Sequence, residues 1–241
     1  MRKNILITGL PKSGKSTLLK KVISNYKKKV GFVTNEIREG NERIGFVIET
    51  YLGEKSVLAD INFKTKFKGS RYFVNVKNLN SIIPKVAKFN NEDLLFLDKI
   101  GQMELFSKKF RKLTLKYLDS SNICIATLSK VYNEKFIEQI KNRKDVILVE
   151  ISEENRDLKE KYIKILISKI LKAKRYFSEP KRFIPDNDKV IINTDHGIRN
   201  LKNIGNNMIC DCEFFKENNL CSHIIALKEY LKINKPLFCK K

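Results

Sequence analysis

The sequence has few acidic residues, few cysteines and no long apolar run. Its 241 residues include 27 Asp and Glu against 49 Lys and Arg, which gives a formal net charge of +22. No stretch approaches the ~20 apolar residues that span a bilayer, so we expect no membrane segment. The apolar run within MRKNILITGLPKSGK is too short for a secretory signal, and we therefore expect a cytoplasmic protein.

The scarcity of cysteine and of acid leaves two further questions. Five cysteines in a reducing compartment are more often metal ligands than disulfide partners. The positive charge suggests a polyanionic partner, but lysines scattered over the whole length also fit a solvated coat, and charge alone does not decide. There is no internal repeat and no low-complexity tract, and the length suits one ordinary domain plus a small appendage.

Apolar runs alternate with helical patterns, which predicts an α/β fold with a mainly parallel sheet covered on both faces. The predicted strands are 3–8, 30–34, 94–98, 123–127 and 146–150, and the predicted helices are 15–26, 79–89, 104–118, 133–141 and 157–174. Three further strands, at 43–51, 56–60 and 71–76, indicate a β-rich excursion after the second strand.

A change of pattern near residue 174 divides the chain. Residues 175–188 carry two prolines and mixed charge without periodicity, which predicts a linker between a domain at 1–174 and a smaller one at 189–241. Two short strands at 190–193 and 208–212 and a helix at 222–233 are predicted in the smaller domain.

The segment GLPKSGKS matches the phosphate-binding pattern G-x-x-x-x-G-K-[ST], between an apolar strand and an amphipathic helix. Backbone amides of such a loop and the helix N-terminus surround the phosphates of a nucleoside triphosphate. Lys15 is expected to reach the β- and γ-phosphates, and the Ser16 hydroxyl to ligate magnesium. The predicted nucleotide-binding residues are Gly9, Leu10, Pro11, Lys12, Ser13, Gly14, Lys15, Ser16 and Thr17.

Asp98 ends the apolar strand LLFLD, where P-loop proteins place the acid that holds magnesium from beside the loop serine. We therefore expect Ser16 and Asp98 to be the magnesium residues. The alternative is an ordinary helix-capping aspartate, because Asp is favoured at such junctions.

The chain resembles the family of small nucleoside-triphosphatases that includes the cancer-related nucleoside-triphosphatase. The matching segments, in the same order, are GLPKSGKST, GFVTNEIREGNERIGFVIE, YFVNV, LDKIGQMELFSKKF, the IATL strand and EISEENRDL. The resemblance covers about residues 3–165. It implies a three-layer RecA-like P-loop fold and magnesium-dependent hydrolysis of several nucleoside triphosphates with broad base specificity.

Two departures from that family pattern bear on activity. Lys12 stands where relatives have glycine, and Lys99 replaces the glutamate that usually polarises the attacking water. Because general-base assistance contributes roughly 10²–10⁴ in rate, we expect slow turnover rather than none. Glu36 and Glu104 are candidate substitute acids, Glu36 being favoured, although either fits an ordinary capping or ion-pairing role.

Other side chains also match family positions near the phosphates. Lys99 is a candidate for contacting phosphate itself, where it would add charge stabilisation. Arg38, Arg43 and Arg156 are candidates for sensing the γ-phosphate, with surface ion pairing as the alternative.

A second constellation lies in CDCEFFKENNLCSHIIALK. The potential ligands are Cys210, Cys212, Cys221 and His223. Side chains at i and i+2 of an extended segment point to one side, and a Cys₃His set is a structural zinc composition. The segment resembles the SWIM-type zinc finger, over about residues 188–233, which implies a ββα module that binds nucleic acid or protein.

The leading hypothesis is therefore a magnesium-dependent nucleoside-triphosphatase, acting on ATP or GTP, that carries a zinc module. One alternative is a non-hydrolysing nucleotide-binding adaptor in which the zinc module carries the function. A small nucleotide kinase is a second alternative, although no arginine-rich lid segment follows the fourth helix.

Overall fold

The structure is a computed structural model, and it describes residues 1–186, 188–204 and 207–233. The chain divides into two compact units. The first comprises residues 3–163, and the second comprises residues 1–2 together with 164–241. The two units are described separately below.

The first unit consists of nine strands and the helices between them. Its strands are β1 (Asn4–Thr8), β2 (Lys29–Glu39), β3 (Glu42–Thr50), β4 (Lys55–Asp60), β5 (Lys68–Gly69), β6 (Tyr72–Val74), β7 (Leu94–Ile100), β8 (Cys124–Leu128) and β9 (Val146–Glu150). Its helices are α1 (Lys15–Ile23), α2 (Val76–Val86), α3 (Gln102–Leu105), α4 (Lys108–Asp119), α5 (Lys135–Lys141) and the start of α6 (Arg156–Phe177).

These strands form one sheet with the order β5-β6-β4-β3-β2-β7-β8-β1-β9. The pairs among β2, β7, β8, β1 and β9 are parallel, whereas β3, β4, β6 and β5 add antiparallel pairs at one side. The sheet is therefore mixed, with five strands joined by parallel pairs and the predicted β-rich excursion added to the same sheet through antiparallel pairs. The α/β class is confirmed, and the finer RecA-like, three-layer designation stays a prediction.

Two element boundaries differ from the sequence prediction in ways that concern the site. β2 continues to Glu39 through antiparallel pairing with β3, so Glu36 lies within the strand rather than after it. The predicted helix 104–118 is two helices, because Ser107 has extended backbone and its Oγ accepts a hydrogen bond from the Phe110 amide at 3.0 Å, which starts α4.

The core of the first unit explains why α1 has a fixed direction. Leu18, Leu19 and Val22 of α1 are fully buried, and α1 contacts β1, β7 and β8. Burial of each such side chain stabilises the fold by roughly 1.5–3 kcal/mol. The amphipathic pattern of this helix therefore fixes the start of α1 beside the ends of β1 and β7.

The second unit contains an antiparallel sheet followed by two helices. Its described elements are the remainder of α6, a 3₁₀ turn (Pro180–Arg182), β10 (Phe183–Asp186), β11 (Lys189–Thr194), β12 (Gly197–Ile204), β13 (Asn207–Cys210), α7 (Glu213–Asn218) and α8 (Ser222–Ile233). The strands pair in sequence order, with Val190 and Leu201 on the buried face.

Two expectations for this region differ in detail from the structure. Within the predicted linker 175–188, residues 175–186 hold the end of α6, the 3₁₀ turn and β10. Pro185 suggested a linker, but β10 is an edge strand, where a missing N–H is tolerated. The described residues form two more strands and one more helix than the expected ββα arrangement. Residues 234–241 of the predicted domain lie outside the described residues.

The remaining expectations concern membrane segments, two cysteines, the domain boundaries and the cellular location. Among the described residues, no helix is long and apolar enough to cross a membrane. Cys124 is buried in β8, as expected of a core residue, while Cys239 lies outside the described residues. The domain boundaries themselves and the cytoplasmic location stay predictions.

Candidate nucleotide site and cysteine cluster

The phosphate loop connects β1 to α1 and has the backbone that its glycines permit. Gly14 has φ +85°, and a Cβ built on Gly9 would lie 2.4 Å from the Ile151 carbonyl oxygen, so both positions require glycine. Lys12, at the position where relatives have glycine, has φ +68°. A lysine there adopts a left-handed conformation that non-glycine residues rarely take.

Lys15 folds back over this loop. Its Nζ donates to the carbonyl oxygens of Gly9 at 2.8 Å and Leu10 at 2.6 Å, and lies 3.4 Å from Ser13 Oγ. Partial burial lowers the pKa of Lys15, the charge of Lys99 lowers it further, and Asp98 opposes both effects. The loop thus holds one ammonium group at its mouth, with a second lysine close enough to repel it.

Asp98 is buried near the end of β7 and is joined to the loop. Its Oδ1 accepts hydrogen bonds from Ser16 Oγ at 3.0 Å and from Thr127 Oγ1 at 2.5 Å, and only 1% of the residue is exposed. The Thr34 hydroxyl donates to its backbone carbonyl at 2.7 Å. The second carboxylate oxygen, Oδ2, is buried and has no hydrogen-bond partner among the described residues.

The electrostatics of Asp98 favour a cation. Burial raises the pKa of Asp98, and the hydrogen bonds from Thr127 and Ser16 only partly oppose that rise. A buried carboxylate with one unpartnered oxygen is costly unless a positive group neutralises it. Ser16 and Asp98, which the sequence pattern paired as magnesium residues, are therefore adjacent and have the donor atoms that magnesium prefers.

A cavity of about 440 Å³ opens over the loop. It is lined by Pro11, Lys12, Gly14, Lys15, Ser16, Thr17, Thr34, Glu36, Arg43, Phe46, Asp98 and Lys99. The cavity therefore brings together most of the predicted nucleotide-binding residues with Asp98 and one of the two candidate acids. Glu104 is not among its lining residues.

Glu36 faces the cavity but is already paired. Arg43 Nη1 donates to its Oε1 at 2.8 Å, and Arg38 donates to its Oε2 from Nε at 2.9 Å and Nη2 at 2.6 Å. Partial burial raises the pKa of Glu36, but the hydrogen bonds from Arg43 and Arg38 outweigh that effect and leave the pKa below its ordinary value. A carboxylate so engaged is a weak proton acceptor.

Glu104 has the opposite surroundings. It is fully buried in α3, and both carboxylate oxygens lack a hydrogen-bond partner among the described residues. Burial raises the pKa of Glu104, although the charge of Lys99 acts in the other direction. Oε2 of Glu104 and Cε of Lys99 lie 3.2 and 3.5 Å from the position that a Cβ on Gly101 would occupy. The two candidate acids thus differ in charge environment as well as in access to the cavity.

Lys99 stands at the position where the sequence resemblance led us to expect an acid. Its Nζ is 5.1 Å from the centroid of the Phe46 ring, and Arg43 lies over the same ring at the same distance. Lys99 lines the cavity with Lys15, so the wall next to Asp98 carries two ammonium groups and a guanidinium. This arrangement suits a polyanion and offers no base at position 99.

Three contributors to the site were missed by the sequence reasoning. Thr127 and Thr34 orient Asp98, and Phe46 supports Lys99. Thr127 was within reach of prediction, because it stands near the end of β8, which pairs with β7 in parallel. The contact between Phe46 and Lys99 was not predictable, because the position of Phe46 depends on how β3 pairs with β2.

The cysteine cluster consists of Cys210, Cys212, Cys221 and His223. One ligand atom from each lies within 4.8 Å of the others, and all four residues are buried. Cys210 Sγ is 3.5 Å from His223 Nδ1, and Cys221 Sγ accepts a hydrogen bond from the Ile224 amide at 3.4 Å. The four residues come from the end of β13 and the starts of α7 and α8, so the predicted ligand set is assembled by the fold.

Tyr176 of α6 supports the histidine of this cluster. Its ring is fully buried and stacks on His223 with centroids 5.8 Å apart and an interplanar angle of 17°. Among the described residues, the three cysteines of the cluster are free thiols and form no disulfide. A compact set of three thiols and an imidazole has the composition of a structural zinc site.

A loop between a parallel strand and a helix, with its serine hydrogen-bonded to a buried aspartate on a nearby strand, defines a P-loop nucleotide-binding protein. Residues 4–164 match the model of the NTPase family. The chain belongs to this family, which confirms the family and the α/β P-loop fold expected from the sequence.

Named relatives agree with that assignment. The chain is 43% identical to nucleoside-triphosphatase THEP1 of Thermotoga maritima over 155 residues, which are 64% of this chain and 88% of the relative. It is 33% identical to THEP1 of Methanocaldococcus jannaschii over 174 residues, covering 69% and 96% of the two chains.

Two solved structures share the fold. The crystal structure of THEP1 from Aquifex aeolicus matches with a TM-score of 0.59 and 33% identity, covering 68% of this chain and 98% of that one. The solution structure of a human cancer-related nucleoside triphosphatase matches with a TM-score of 0.59 and 27% identity, covering 68% and 97%.

Proposed function

We propose that this chain hydrolyses nucleoside triphosphates to the diphosphate and phosphate, slowly, with magnesium and with broad base specificity. The observation that supports this proposal most directly is the Ser16–Asp98 hydrogen bond, which sets a metal-binding pair beside the ammonium of Lys15. The relatives named nucleoside-triphosphatase point to the same reaction.

Magnesium fits the donor groups of this site. Ser16 Oγ and the unpartnered Asp98 Oδ2 are hard oxygen atoms, and the burial of Asp98 disfavours its charge in the absence of a cation. When bound, magnesium would be held by Ser16 and Asp98 and would neutralise negative charge that develops on the phosphates. Thr127 and Thr34 keep the Asp98 side chain and backbone in position for this role.

Two lysines of the chain would bind the phosphates and stabilise the charge that develops on them. Lys15 binds the β- and γ-phosphate oxygens, exchanging its present carbonyl partners for phosphate. A water oxygen attacks the γ-phosphorus, and the bond from that phosphorus to the β–γ bridging oxygen breaks, leaving its electron pair on the diphosphate. Both water protons leave with the phosphate product as dihydrogen phosphate, which then ionises in solution. Lys99 stabilises the negative charge on the transferred group, since its ammonium lines the same wall.

Water activation is the weak step. Glu36 is held by two arginines and Glu104 lies outside the cavity lining, so neither replaces the missing carboxylate at position 99 efficiently. This is the physical reason for expecting slow turnover. Of the two acids, Glu36 has the access and Glu104 has the raised pKa.

The test is phosphate release by the full chain with magnesium and ATP, GTP, CTP or UTP, using Lys15→Ala as the blank. We expect slow release above the blank with all four nucleotides. Release equal to the blank would reject hydrolysis. Tight nucleotide binding without release would instead support the non-hydrolysing adaptor, which Lys99 favours by replacing the family's acid. No described contact favours the kinase alternative.

We further propose that the cysteine cluster holds one structural zinc ion in a SWIM-type module that binds nucleic acid or protein. The three thiols and the imidazole are mutually close and buried, and their composition selects zinc over magnesium or calcium. Zinc would supply folding free energy there rather than catalysis. Metal analysis of the purified chain should give one zinc per molecule, and a value near zero after zinc-supplemented expression would reject the site.

The partner of the module is tested separately. Turnover and binding measured with and without single-stranded DNA or RNA show whether nucleotide state and nucleic-acid binding are coupled. Equal affinity for nucleic acid with and without triphosphate would exclude coupling.

A further inference from the structure

Arg156, the first residue of α6, lies against the phosphate loop from outside the cavity. A Cβ built on Gly14 would be 2.7 Å from both Cδ and Nη1 of Arg156 and 3.4 Å from its Nε. The side chain thus runs along Gly14, in the space that a Cβ at this position would occupy. Arg156 is not among the residues that line the cavity over the phosphates.

The fold fixes this position. β9 pairs in parallel with β1, and the Ile151 amide donates to the Thr8 carbonyl at 2.8 Å just before the loop begins. A turn closed by Ser152 and Asn155 then starts α6. Glu160, one turn along α6, forms an ion pair with Lys21 of α1 at 3.5 Å, which ties the start of α6 beside the helix that follows the loop.

Arg156 is poorly engaged where it lies. Its Nε is buried without a hydrogen-bond partner among the described residues, and its nearest acid is Asp157 at 3.8 Å. Arg38 and Arg43 differ, because both donate short hydrogen bonds to Glu36. A guanidinium fixed in place but loosely paired is available to a ligand.

The side of the loop on which Arg156 lies determines which part of a bound nucleotide it could contact. The sheet order β7-β8-β1-β9 places Asp98 and Lys99 on one side of β1 and the β9–α6 connection on the other. Asp98 and Lys99 mark the metal and γ-phosphate end of the site. With its γ-phosphate at that end, a bound triphosphate would extend its nucleoside away from β7, toward the β9–α6 connection.

We propose that Arg156 is a nucleobase-binding residue, whose guanidinium stacks on the face of the base. This inference rests on the proposed function, because it requires a triphosphate in the loop. A guanidinium stacks on planar rings through its own plane and charge. Every base offers such a face, so the contact favours nucleotides over bare polyphosphate without selecting among A, G, C and U.

The experiment compares ligands with and without a base. Isothermal titration of the full chain with magnesium would use the β,γ-imido analogues of ATP, GTP, CTP and UTP, and inorganic tripolyphosphate. The variants are Arg156→Ala and Arg156→Lys, which keeps the charge but not the plane. Lys161→Ala removes an exposed charge from the same helix and serves as the matched control.

We expect Arg156→Ala to weaken binding of all four analogues by about 2- to 30-fold and to leave tripolyphosphate binding unchanged. Arg156→Lys should resemble Arg156→Ala, and Lys161→Ala should resemble the wild type. If Arg156→Ala fails to fold by its thermal unfolding curve, Arg156→Lys decides the question.

Three results would overturn the inference. An equal loss of affinity for tripolyphosphate would make Arg156 a phosphate contact, and unchanged affinity of the variants for the analogues would mean that Arg156 does not contact the nucleotide. A loss of affinity confined to one analogue would mean that the edge of its base is recognised, not its face. If the wild-type protein binds neither the analogues nor tripolyphosphate, the proposed function itself is rejected. This result differs from the three above, so failure of the Arg156 inference can be told from failure of the proposed function.

Discussion

The phosphate loop is defined by the shape of its backbone, whereas the cysteine cluster is a set of four side chains. The loop keeps its shape through left-handed φ angles and the burial of α1. The cluster gathers three thiols and an imidazole within 4.8 Å, and those side chains have few other polar partners. A backbone cradle is built by folding, while a thiol cluster needs an ion to stabilise it.

The largest expected effect concerns that dependence on metal. Apparent zinc affinities of structural sites correspond to about 10–16 kcal/mol, comparable with the ~5–15 kcal/mol stability of a whole domain. A strong zinc chelator, or Cys221→Ser, should therefore remove protection from hydrogen exchange in residues 189–233 and leave residues 3–163 protected.

Hydrogen exchange with mass spectrometry on the full chain measures both regions at once. Cys124→Ala is the matched control, because Cys124 is buried in β8 and is not one of the cluster residues. Unchanged protection of 189–233 after verified loss of metal would show that the cluster, like the loop, is built by folding alone.

A second effect tests the loop. Lys15→Ala should reduce nucleoside-triphosphate turnover by roughly 10²–10³-fold, the usual cost of removing one preorganised group that stabilises transition-state charge. Steady-state phosphate release measures it, and hydrogen exchange should show that 3–163 stays folded. Turnover at the wild-type rate would mean that Lys15 does not contact the phosphates.

A substitution at Lys99 should have a smaller effect than Lys15→Ala, and it should raise turnover rather than lower it. Lys99→Glu restores the family's acid at a cavity wall next to Asp98 and should raise kcat by at least about tenfold. Lys99→Met is the control that removes the charge without adding a base, and it should not raise kcat. A rise with both variants would attribute the slow turnover to repulsion from Lys99 rather than to a missing base.

The smallest expected effect is a shift in the pH profile. Burial and then the charge of Lys99 lower the pKa of Lys15, so the alkaline limb of kcat/KM, which reports the free enzyme, should fall at a lower pH than an ordinary lysine would give. Removing a neighbouring positive charge raises that pKa. Lys99→Met should therefore move the limb to higher pH, and a limb that stays in place would mean that Lys15 does not control it.

Much of the site was predictable because its patterns are local. The phosphate loop requires fixed residue types over eight consecutive positions, and the paired spacing C-x-C and C-x-H puts two ligands on one side of an extended segment. The structure brings these residues together as the sequence pattern indicates. Their roles in binding nucleotide and zinc stay predictions.

The errors have a common cause, which is dependence on neighbours far along the chain. Glu36 was expected after a strand, but pairing with β3 extends β2 and brings Arg43 onto the Glu36 carboxylate. Pro185 indicated a linker, yet the edge position of β10 accommodates it. Neither outcome is visible in a window of consecutive residues.

The amino-acid sequence by itself determined the loop, the aspartate near the end of a strand and the spacing of the cysteines and histidine, because each depends on residues within a short span. Only the tertiary structure decided that Glu36 is held by arginines, that the buried carboxylate of Glu104 has no hydrogen-bond partner among the described residues, and that Arg156 lies on Gly14. The physical reason is that pKa, access and stacking depend on which groups surround a side chain, and strand pairing brings those groups from distant positions.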